Sequence, residues 1–304
     1  MRKQRGIAAI TAILIVAVAA SAAAMMLAQQ SALIDQAMLV ASRAQADQYA
    51  RAGTEWARGI LAQDARAVDS LGEGWAQPMA GLPVERALVS GAIVDEQGKF
   101  NLNNLVANQQ PSTADIAAFG RLLSALALPT ELTDAVVDWI DADGEIAGNG
   151  GAEDSYYLAL PRPYRAANQP MMVVDELYRV RGFDAQTVAK LRPYVTALPE
   201  RTLVNANTAS DRVLEALLPG VPPAEIERLI AARVQKPFTS IQAIGDWARA
   251  LDPRADTTGL DVKSAYFSVV VQVAQDDVQV ASEALVRRDD KSPSNAIIWR
   301  RPRY

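Results

Sequence analysis

The sequence predicts an α+β fold in which one long N-terminal helix packs on an antiparallel sheet, and a large all-helical insertion interrupts that sheet. No proline precedes Pro78 and no glycine lies between Gly6 and Gly53, so a helix can run unbroken through this region. Alternating, valine-rich segments typical of strands occur near residue 90 and again after residue 265. About 160 residues with helical apolar spacing separate these two groups.

The chain begins with an apolar segment suited to crossing a membrane. Residues 7–27 contain no charge, proline or glycine, and Arg2, Lys3 and Arg5 precede them. At about 1.5 Å per helical residue, this segment covers the roughly 30 Å hydrocarbon core of a bilayer. The basic residues predict a single span with a cytoplasmic N-terminus, which places everything after residue 27 across the membrane.

The same helix is expected to continue to about residue 61, outside the membrane. Four residues recur at spacings of three and four and therefore share one helix face: Tyr49, Ala52, Trp56 and Ile60. We expect this face to pack on the sheet. Charged residues occupy other positions, as they do in a helix that is half exposed to water.

The first strand group lies directly before the helical region. Strands are predicted at 88–94 and 99–102, and Gly98 suits a tight hairpin between them. Residues 62–86 are rich in glycine and proline, which predicts a loop between the long helix and this hairpin.

The second strand group follows the helical region. Strands are predicted at 265–274 and 278–288, with a short strand at 296–299. The predicted parts of the chain are the helix 7–61, an α/β domain formed by 62–102 and 263–304, and the helical insertion 103–262.

The composition excludes several kinds of chemistry. The chain has no cysteine and no histidine, so it has no disulfide, no thiolate nucleophile, no Ser-His-Asp triad and no zinc site of the usual kinds. Any metal must be held by oxygen atoms, which favours calcium or magnesium. The formal net charge is −5, and such a surface does not attract nucleic acid or anionic lipid.

One loop concentrates negative charge. Six acidic residues and no basic residue lie between positions 138 and 154: Asp138, Asp141, Asp143, Glu145, Glu153 and Asp154. The glycines among them let the backbone wrap and present carbonyl oxygens, a combination that suits calcium. Ile146 and Ala152 occupy positions where an EF-hand needs glycine and glutamate, so the loop is not an EF-hand. A solvated acidic loop that caps a helix is the equally open alternative.

The N-terminus resembles the class III signal of type IV pilins and type II secretion pseudopilins. Gly6 follows the basic cluster, and an apolar helix then continues without a break. The resemblance implies that prepilin peptidase removes residues 1–6, cutting between Gly6 and Ile7, and that the new N-terminus is methylated. Thr11 stands where most of these subunits carry glutamate, a departure expected of a subunit at a filament end. The alternatives are a plain anchor that is never cut, and a threonine that simply fits a helix contact in lipid.

Two further stretches resemble the K-type minor pseudopilin of type II secretion, general secretion pathway protein K. They are 138–143 (DWIDAD) and 151–157 (GAEDSYY), supported by 95–103 (DEQGKFNLN) and 203–210 (LVNANTAS). The resemblance implies a pilin-like domain with a helical insertion, in an inner-membrane protein whose bulk is periplasmic. It also implies partnership with the I-type and J-type minor pseudopilins, with the H-type as a further candidate, in a pseudopilus tip that supports export of folded proteins across the outer membrane.

The same resemblance implies a structural calcium ion and no enzymatic activity. The ligands implied are Asp141, Asp143, Glu153 and Asp154, with Asp138 and Asn168 as further candidates. We expect the ion to neutralise the carboxylates and tie two segments of the loop together.

An alternative function is a membrane-anchored helix-hairpin-helix protein that binds DNA. Residues 204–210 and 218–222 resemble that motif, whose backbone N–H groups contact phosphate. Pro222 replaces the usual second glycine and Pro223 follows it, which removes two donors. Residues 103–262 carry 14 basic and 21 acidic residues, so the sequence favours a scaffold that does not bind nucleic acid.

Overall fold

A computed structural model describes residues 3–289 and 295–303 of the chain. Residues 1 and 2 of the predicted leader lie outside the described residues. In chain order the described helices are α1 Lys3–Gln63, α2 Thr113–Ala125, α3 Leu132–Ile140, α4 Asp154–Tyr157, α5 Ala185–Leu191, α6 Asp211–Leu217, α7 Pro223–Arg233 and α8 Ile241–Leu251.

The described strands are β1 Met79–Val84, β2 Ala87–Asp95, β3 Phe100–Asn101, β4 Val106–Ala107, β5 Gln110–Pro111, β6 Val195–Thr196, β7 Val204–Asn205, β8 Leu260–Asp261, β9 Tyr266–Gln275, β10 Val278–Arg287 and β11 Ala296–Pro302. Short 3₁₀ helices occupy Gly74–Ala76, Glu96–Gly98, Leu102–Leu105, Val174–Arg179 and Arg192–Tyr194.

One antiparallel sheet faces the second half of α1, which confirms the predicted α+β fold. Its strand order is β1-β2-β9-β10-β11. Strands β2 and β9 are neighbours, and Asp95 at the end of β2 pairs with Phe267 near the start of β9. The chain between them therefore leaves and re-enters the sheet at adjacent points. The longer elements of this segment are all helices, and two-residue strand pairs such as β7 with β8 lie between them.

The predicted hairpin at 95–98 is wrong. The side chain of Asp95 accepts a hydrogen bond from the Gln97 backbone N–H at 2.8 Å, which turns the chain into a 3₁₀ helix. Strand β3 then pairs in parallel with β6. Gly98 is needed for packing, because a Cβ there would lie 2.9 Å from the hydroxyl oxygen of Thr208.

The true hairpin joins β1 to β2 inside the segment predicted as a loop. The turn lies at Glu85 and Arg86, where Glu85 has a φ of 51°. Gly81 and Pro83 predict a loop, but they lie in β1, which is an edge strand. On the open side of an edge strand there is no neighbouring strand, so the N–H that proline lacks is not needed there.

The predicted packing face of α1 is also wrong. Ala52 is exposed and the Trp56 side chain is 53 % exposed. The residues that meet the sheet are smaller: Ala46, Ala50, Thr54, Ala57 and Leu61. A Cβ at Gly53 would lie 2.9 Å from Val271 Cγ1. The small residues of this face therefore let α1 lie closer to the sheet than bulky side chains would allow. Tyr49 and Ile60 pack at the margin of the same core.

A buried polar network joins the sheet to the insertion. One carboxylate oxygen of Asp95 accepts from the Asn205 amide at 3.1 Å and from the hydroxyls of Thr208 and Ser264, each at 2.6 Å. Burial raises the pKa of Asp95 to about 6, although these hydrogen bonds oppose the rise. The network fixes both ends of the insertion to one point.

Replacing Asp95 with alanine should lower the free energy of unfolding by about 2–4 kcal/mol, because buried donors lose their shared acceptor. Urea denaturation of the full chain in detergent measures this change. Glu227→Ala, at an exposed position of α7, is the control and should change stability by less than about 0.5 kcal/mol. Equal losses in the two variants would show that the network does not hold the domains together.

Candidate metal centre

The acidic loop is folded by the helix that precedes it. Asp134 and Asp138 lie four residues apart on α3 and therefore share a face. Asp134 Oδ2 accepts from the backbone N–H groups of Asn149 and Gly150, both at 3.1 Å. Asp138 Oδ1 accepts from the N–H of Ala147 at 2.9 Å. These bonds turn the loop back along the helix.

Two glycines make this return possible. A Cβ on Gly150 would lie 2.0 Å from the carbonyl oxygen of Glu131, and a Cβ on Gly151 would lie 2.4 Å from Asp138 Oδ2. Both distances are too short for any side chain. The loop therefore needs glycine here for close contact with α3.

Three predicted ligands meet in the folded loop. Carboxylate oxygens of Asp141, Asp143 and Glu153 lie within 4.8 Å of one another. Asp141 is 3 % exposed and Glu153 is 4 % exposed, whereas Asp143 lies at the surface. This arrangement brings the end of α3 against the start of α4.

Several oxygens at this centre lack a donor. Among the described residues, Asp138 Oδ2, Asp141 Oδ1 and Glu153 Oε1 are buried and accept no hydrogen bond. An ionised carboxylate that is buried without a donor or cation is costly. The centre is therefore chemically complete only with protons or a cation, and its all-oxygen donors are those that calcium prefers.

The pKa values express the same imbalance. Burial, followed by repulsion from Asp143 and Asp138, raises the pKa of Asp141 to about 6. Burial and the charges of Asp138, Asp141 and Asp143 raise the pKa of Glu153 to about 7. Burial also raises the pKa of Asp138.

In a second carboxylate cluster, the guanidinium of Arg288 balances the negative charge. Asp64, Asp69 and Glu73 also lie within 4.8 Å of one another. The buried guanidinium of Arg288 donates to Asp69 at 2.5 and 2.6 Å and to Asp64 at 2.9 Å. Glu73 accepts from the Trp75 indole at 2.6 Å. This cluster already has its cation, so it does not need a metal.

The remaining predicted ligands are placed differently. Asp154 lies outside the cluster, because its oxygens accept from Arg165 at 3.0 Å and from the Ala166 N–H at 3.1 Å. Asn168 lies against the cluster, with a φ of 47°, and its amide donates to the Asp143 carbonyl at 3.3 Å. Asp154 is therefore engaged by other groups and is not part of the carboxylate cluster.

Two residues that support the loop are not among those predicted from the sequence. Asp134 is one, although its spacing of four from Asp138 places it on the same helix face. Arg181 donates to the Gly151 carbonyl at 2.7 Å and lies over the Tyr156 ring at 5.0 Å. No local pattern marks Arg181, because it lies 30 residues away along the chain.

The helix-hairpin-helix segment is unsuited to phosphate. Pro222 caps the N-terminus of α7 and Pro223 begins the helix, so neither supplies an N–H donor there. A Cβ on Gly220 would lie 1.8 Å from Asp252 Oδ2, which means that a carboxylate occupies the position beside the hairpin. A phosphate would meet negative charge at this point.

Comparison with known proteins gives consistent matches. Models described as "Type II secretion system (T2SS), protein K" match residues 98–200 and 204–268. Type II secretion system protein K of Pseudomonas aeruginosa is 34 % identical over 303 residues, covering 95 % of this chain and 90 % of that one. The protein of the same name from Aeromonas hydrophila is 32 % identical and covers 95 % of each chain.

A solved structure has a similar fold. It is the crystal structure of the GspK-GspI-GspJ complex from the enterotoxigenic Escherichia coli Type 2 Secretion System. The TM-score is 0.68 at 25 % sequence identity, over 86 % of this chain and 96 % of that chain.

In a chelator, the metal-free chain should lose stability as the pH rises from about 5 to 7. The folded pKa values of Asp141 and Glu153, about 6 and about 7, exceed their ordinary values of 3.8 and 4.5. The folded state thus holds protons that the unfolded state has released, and this contribution disappears as those protons leave. Urea denaturation across this range measures the decline.

The double variant Asp141→Asn with Glu153→Gln is the control for this pH effect, because its amides do not titrate. Its stability should vary less with pH over the same interval. An identical decline in both proteins would assign the effect to groups elsewhere.

Proposed function

The chain belongs to the type II secretion system protein K family, and we propose that it is the minor pseudopilin at the tip of the pseudopilus. One observation carries the proposed position. The insertion leaves and re-enters the sheet between the adjacent strands β2 and β9, so its entire bulk lies beside the sheet domain. Such bulk is difficult to repeat along a closely packed filament, whereas it fits at an end.

The residue at the fifth position after the proposed cleavage site supports the same position. The Thr11 hydroxyl donates to the carbonyl oxygens of Ala8 at 3.0 Å and Ile7 at 3.1 Å. It is therefore satisfied within its own helix and carries no charge. A neighbouring subunit's N-terminal amine would find no carboxylate here, as expected where no further subunit is added.

We propose the I-type and J-type minor pseudopilins as direct partners, with the H-type as a further candidate. The related crystal structure is titled as a complex of GspK with GspI and GspJ. In this chain α1 has the length and apolar composition to cross a membrane. Beyond the proposed span it exposes further apolar side chains that suit helix neighbours: Leu33, Ile34, Met38, Leu39 and Val40.

The proposed location follows from the same helix. Residues 7–27 lie in the inner membrane, with the N-terminus cytoplasmic and the sheet and insertion periplasmic. The role is assembly in support of protein export across the outer membrane. We propose no catalysis. The loop carboxylates that lack a donor would bind a metal ion, and Asp95 forms hydrogen bonds that join the insertion to the sheet.

We propose that the centre binds calcium through Asp141, Asp143 and Glu153, with Asp138 as a further ligand and Asn168 beside it. Two of these carboxylates come from the end of α3 and its loop, and Glu153 comes from the start of α4. The ion would supply the positive charge that Arg288 supplies to the second cluster. It would thus hold the loop against the helix and stabilise the insertion.

Position in the filament is tested by labelling the chain with gold at its periplasmic domain and imaging isolated pseudopili. Label should appear at one end of each filament. Intact mass should show loss of residues 1–6 and gain of one methyl group in the labelled population, which verifies pilin-type processing. Label distributed along the filaments, on processed protein, would overturn the tip position.

Calcium should raise the melting temperature of the full chain in detergent, because at 100 times its dissociation constant it adds about 2.7 kcal/mol to the free energy of unfolding. Asp141→Asn with Glu153→Gln should abolish this effect, since both buried ligands lose their charge. Glu145→Gln alters an exposed acid of the same loop and should retain it. If calcium leaves the melting temperature of the unmodified chain unchanged, the proposed calcium site is wrong.

A further inference from the structure

The insertion and the sheet domain have separate apolar cores. Buried side chains of residues 100–262 form one cluster, and those of α1, β2, β9 and β10 form another with Trp75. A third cluster of three buried residues crosses the boundary, where Leu198 of the insertion packs with Tyr266 and Leu285 of the sheet. Domains that share a small apolar contact within a polar interface are expected to move relative to each other.

A cleft lies between the two domains beside this small cluster. Residues of β9 alternate between the two faces of the sheet, so Val269 and Val271 face α1 whereas Ser268 faces the other way. Leu285 pairs with Ser268, and Trp299 pairs with Leu285, which puts all three on the face opposite α1. They line a cleft of about 700 Å³ whose other wall belongs to the insertion.

The insertion is attached at one side of this cleft. Asp95 at the end of β2 and Ser264 just before β9 form the buried joint. Glu200 makes a further contact at the start of β9, where it accepts from the Tyr266 hydroxyl at 2.6 Å. Strand β11 lies two strands beyond β9, or about 10 Å away, so rotation about the joint would open the cleft most at β11.

An ion pair crosses the cleft at β11, far from the joint. Arg301 of β11 donates to Asp175 of the insertion at 3.0 Å, and Asp175 lies in the 3₁₀ helix Val174–Arg179. Both side chains are partly exposed. The pair therefore closes the side of the cleft where opening would separate the two domains most.

Each partner of this ion pair is held in position by its own domain. Arg301 also donates to Glu283 of β10 at 3.0 and 3.2 Å, and its guanidinium lies 4.9 Å from the centre of the Trp299 ring. Asp175 also accepts a hydrogen bond from Arg192 of the insertion. Because both side chains are already ordered, closing the cleft costs less side-chain entropy than forming an ordinary surface ion pair.

We propose that Asp175 and Arg301 form a latch that holds the insertion against the sheet, and that the insertion swings about the Asp95 joint when the latch opens. A partly exposed ion pair is weak enough to open and close, whereas the buried joint persists. Since α1 packs on the opposite face of the same sheet, the latch sets the angle between the insertion and the long helix. The latch lies within one chain, so it acts without a partner subunit.

Double electron–electron resonance between two nitroxide labels measures the distance between the domains of the full-length chain in detergent. The chain has no cysteine, so Lys190→Cys in the insertion and Gln279→Cys on β10, both at exposed positions, accept the labels uniquely. Asp175→Ala should raise the ratio of long to short distances about two- to fivefold, as expected for losing a partly exposed ion pair. Arg301→Ala should have the same effect, and combining both substitutions should add nothing further, because the pair is already broken.

Asp246→Ala is the matched control. It removes another exposed ion pair, with Arg249 at 3.2 Å, that lies entirely within α8. Its distances should equal those of the labelled parent chain. Salt at about 1 M, which shortens the screening length to about 3 Å, should lengthen the distances in the parent chain and have no further effect on Asp175→Ala.

Unchanged distances in both single variants and at high salt, with the melting temperature retained, would mean that the joint alone fixes the insertion and that the latch is wrong. Effects of Asp175→Ala and Arg301→Ala that add in the double variant would show that the two residues act separately, which also overturns the proposal. If either substitution unfolds the insertion, the salt response of the parent chain decides between the two outcomes.

Discussion

The fold depends on one buried carboxylate. Asp95 ends the strand from which the insertion leaves, and its oxygen is shared by Asn205, Thr208 and Ser264. The last of these donors stands just before the strand through which the chain returns. Bringing together residues this far apart in the chain costs conformational entropy. The buried carboxylate of Asp95 offsets that cost only when all three donors lie within hydrogen-bonding distance of it. The network thus determines where the helical part sits beside the sheet.

The two carboxylate clusters differ in how their negative charge is balanced. Around Asp69, an internal arginine completes the charge, so this cluster acts as a permanent brace between the helix end and the sheet. Around Asp141, buried oxygens remain without donors. The same arrangement of acids thus forms a fixed joint in one place, whereas in the other we propose that an external cation supplies the balancing charge.

The two halves of the long helix α1 suit different surroundings. Its first half is apolar and exposed, as a membrane and a helical bundle require. Its second half presents small residues to the sheet and leaves Trp56, Arg43 and Arg51 exposed. Because only small residues fit against the sheet, the larger side chains lie on the exposed faces of the helix.

The sequence by itself determined the α+β class, the long helix, strands β2, β9 and β10, and the acidic loop, because each depends on local periodicity or composition. Tertiary structure decided the rest. Strand β1 tolerates Gly81 and Pro83 because it is an edge, and the helix face was set by contact with Val271. Asp154 pairs with Arg165 and lies outside the carboxylate cluster, and Arg181 supports the loop from a position 30 residues away in the chain. Such choices depend on which groups meet in space, and no local pattern contains that information.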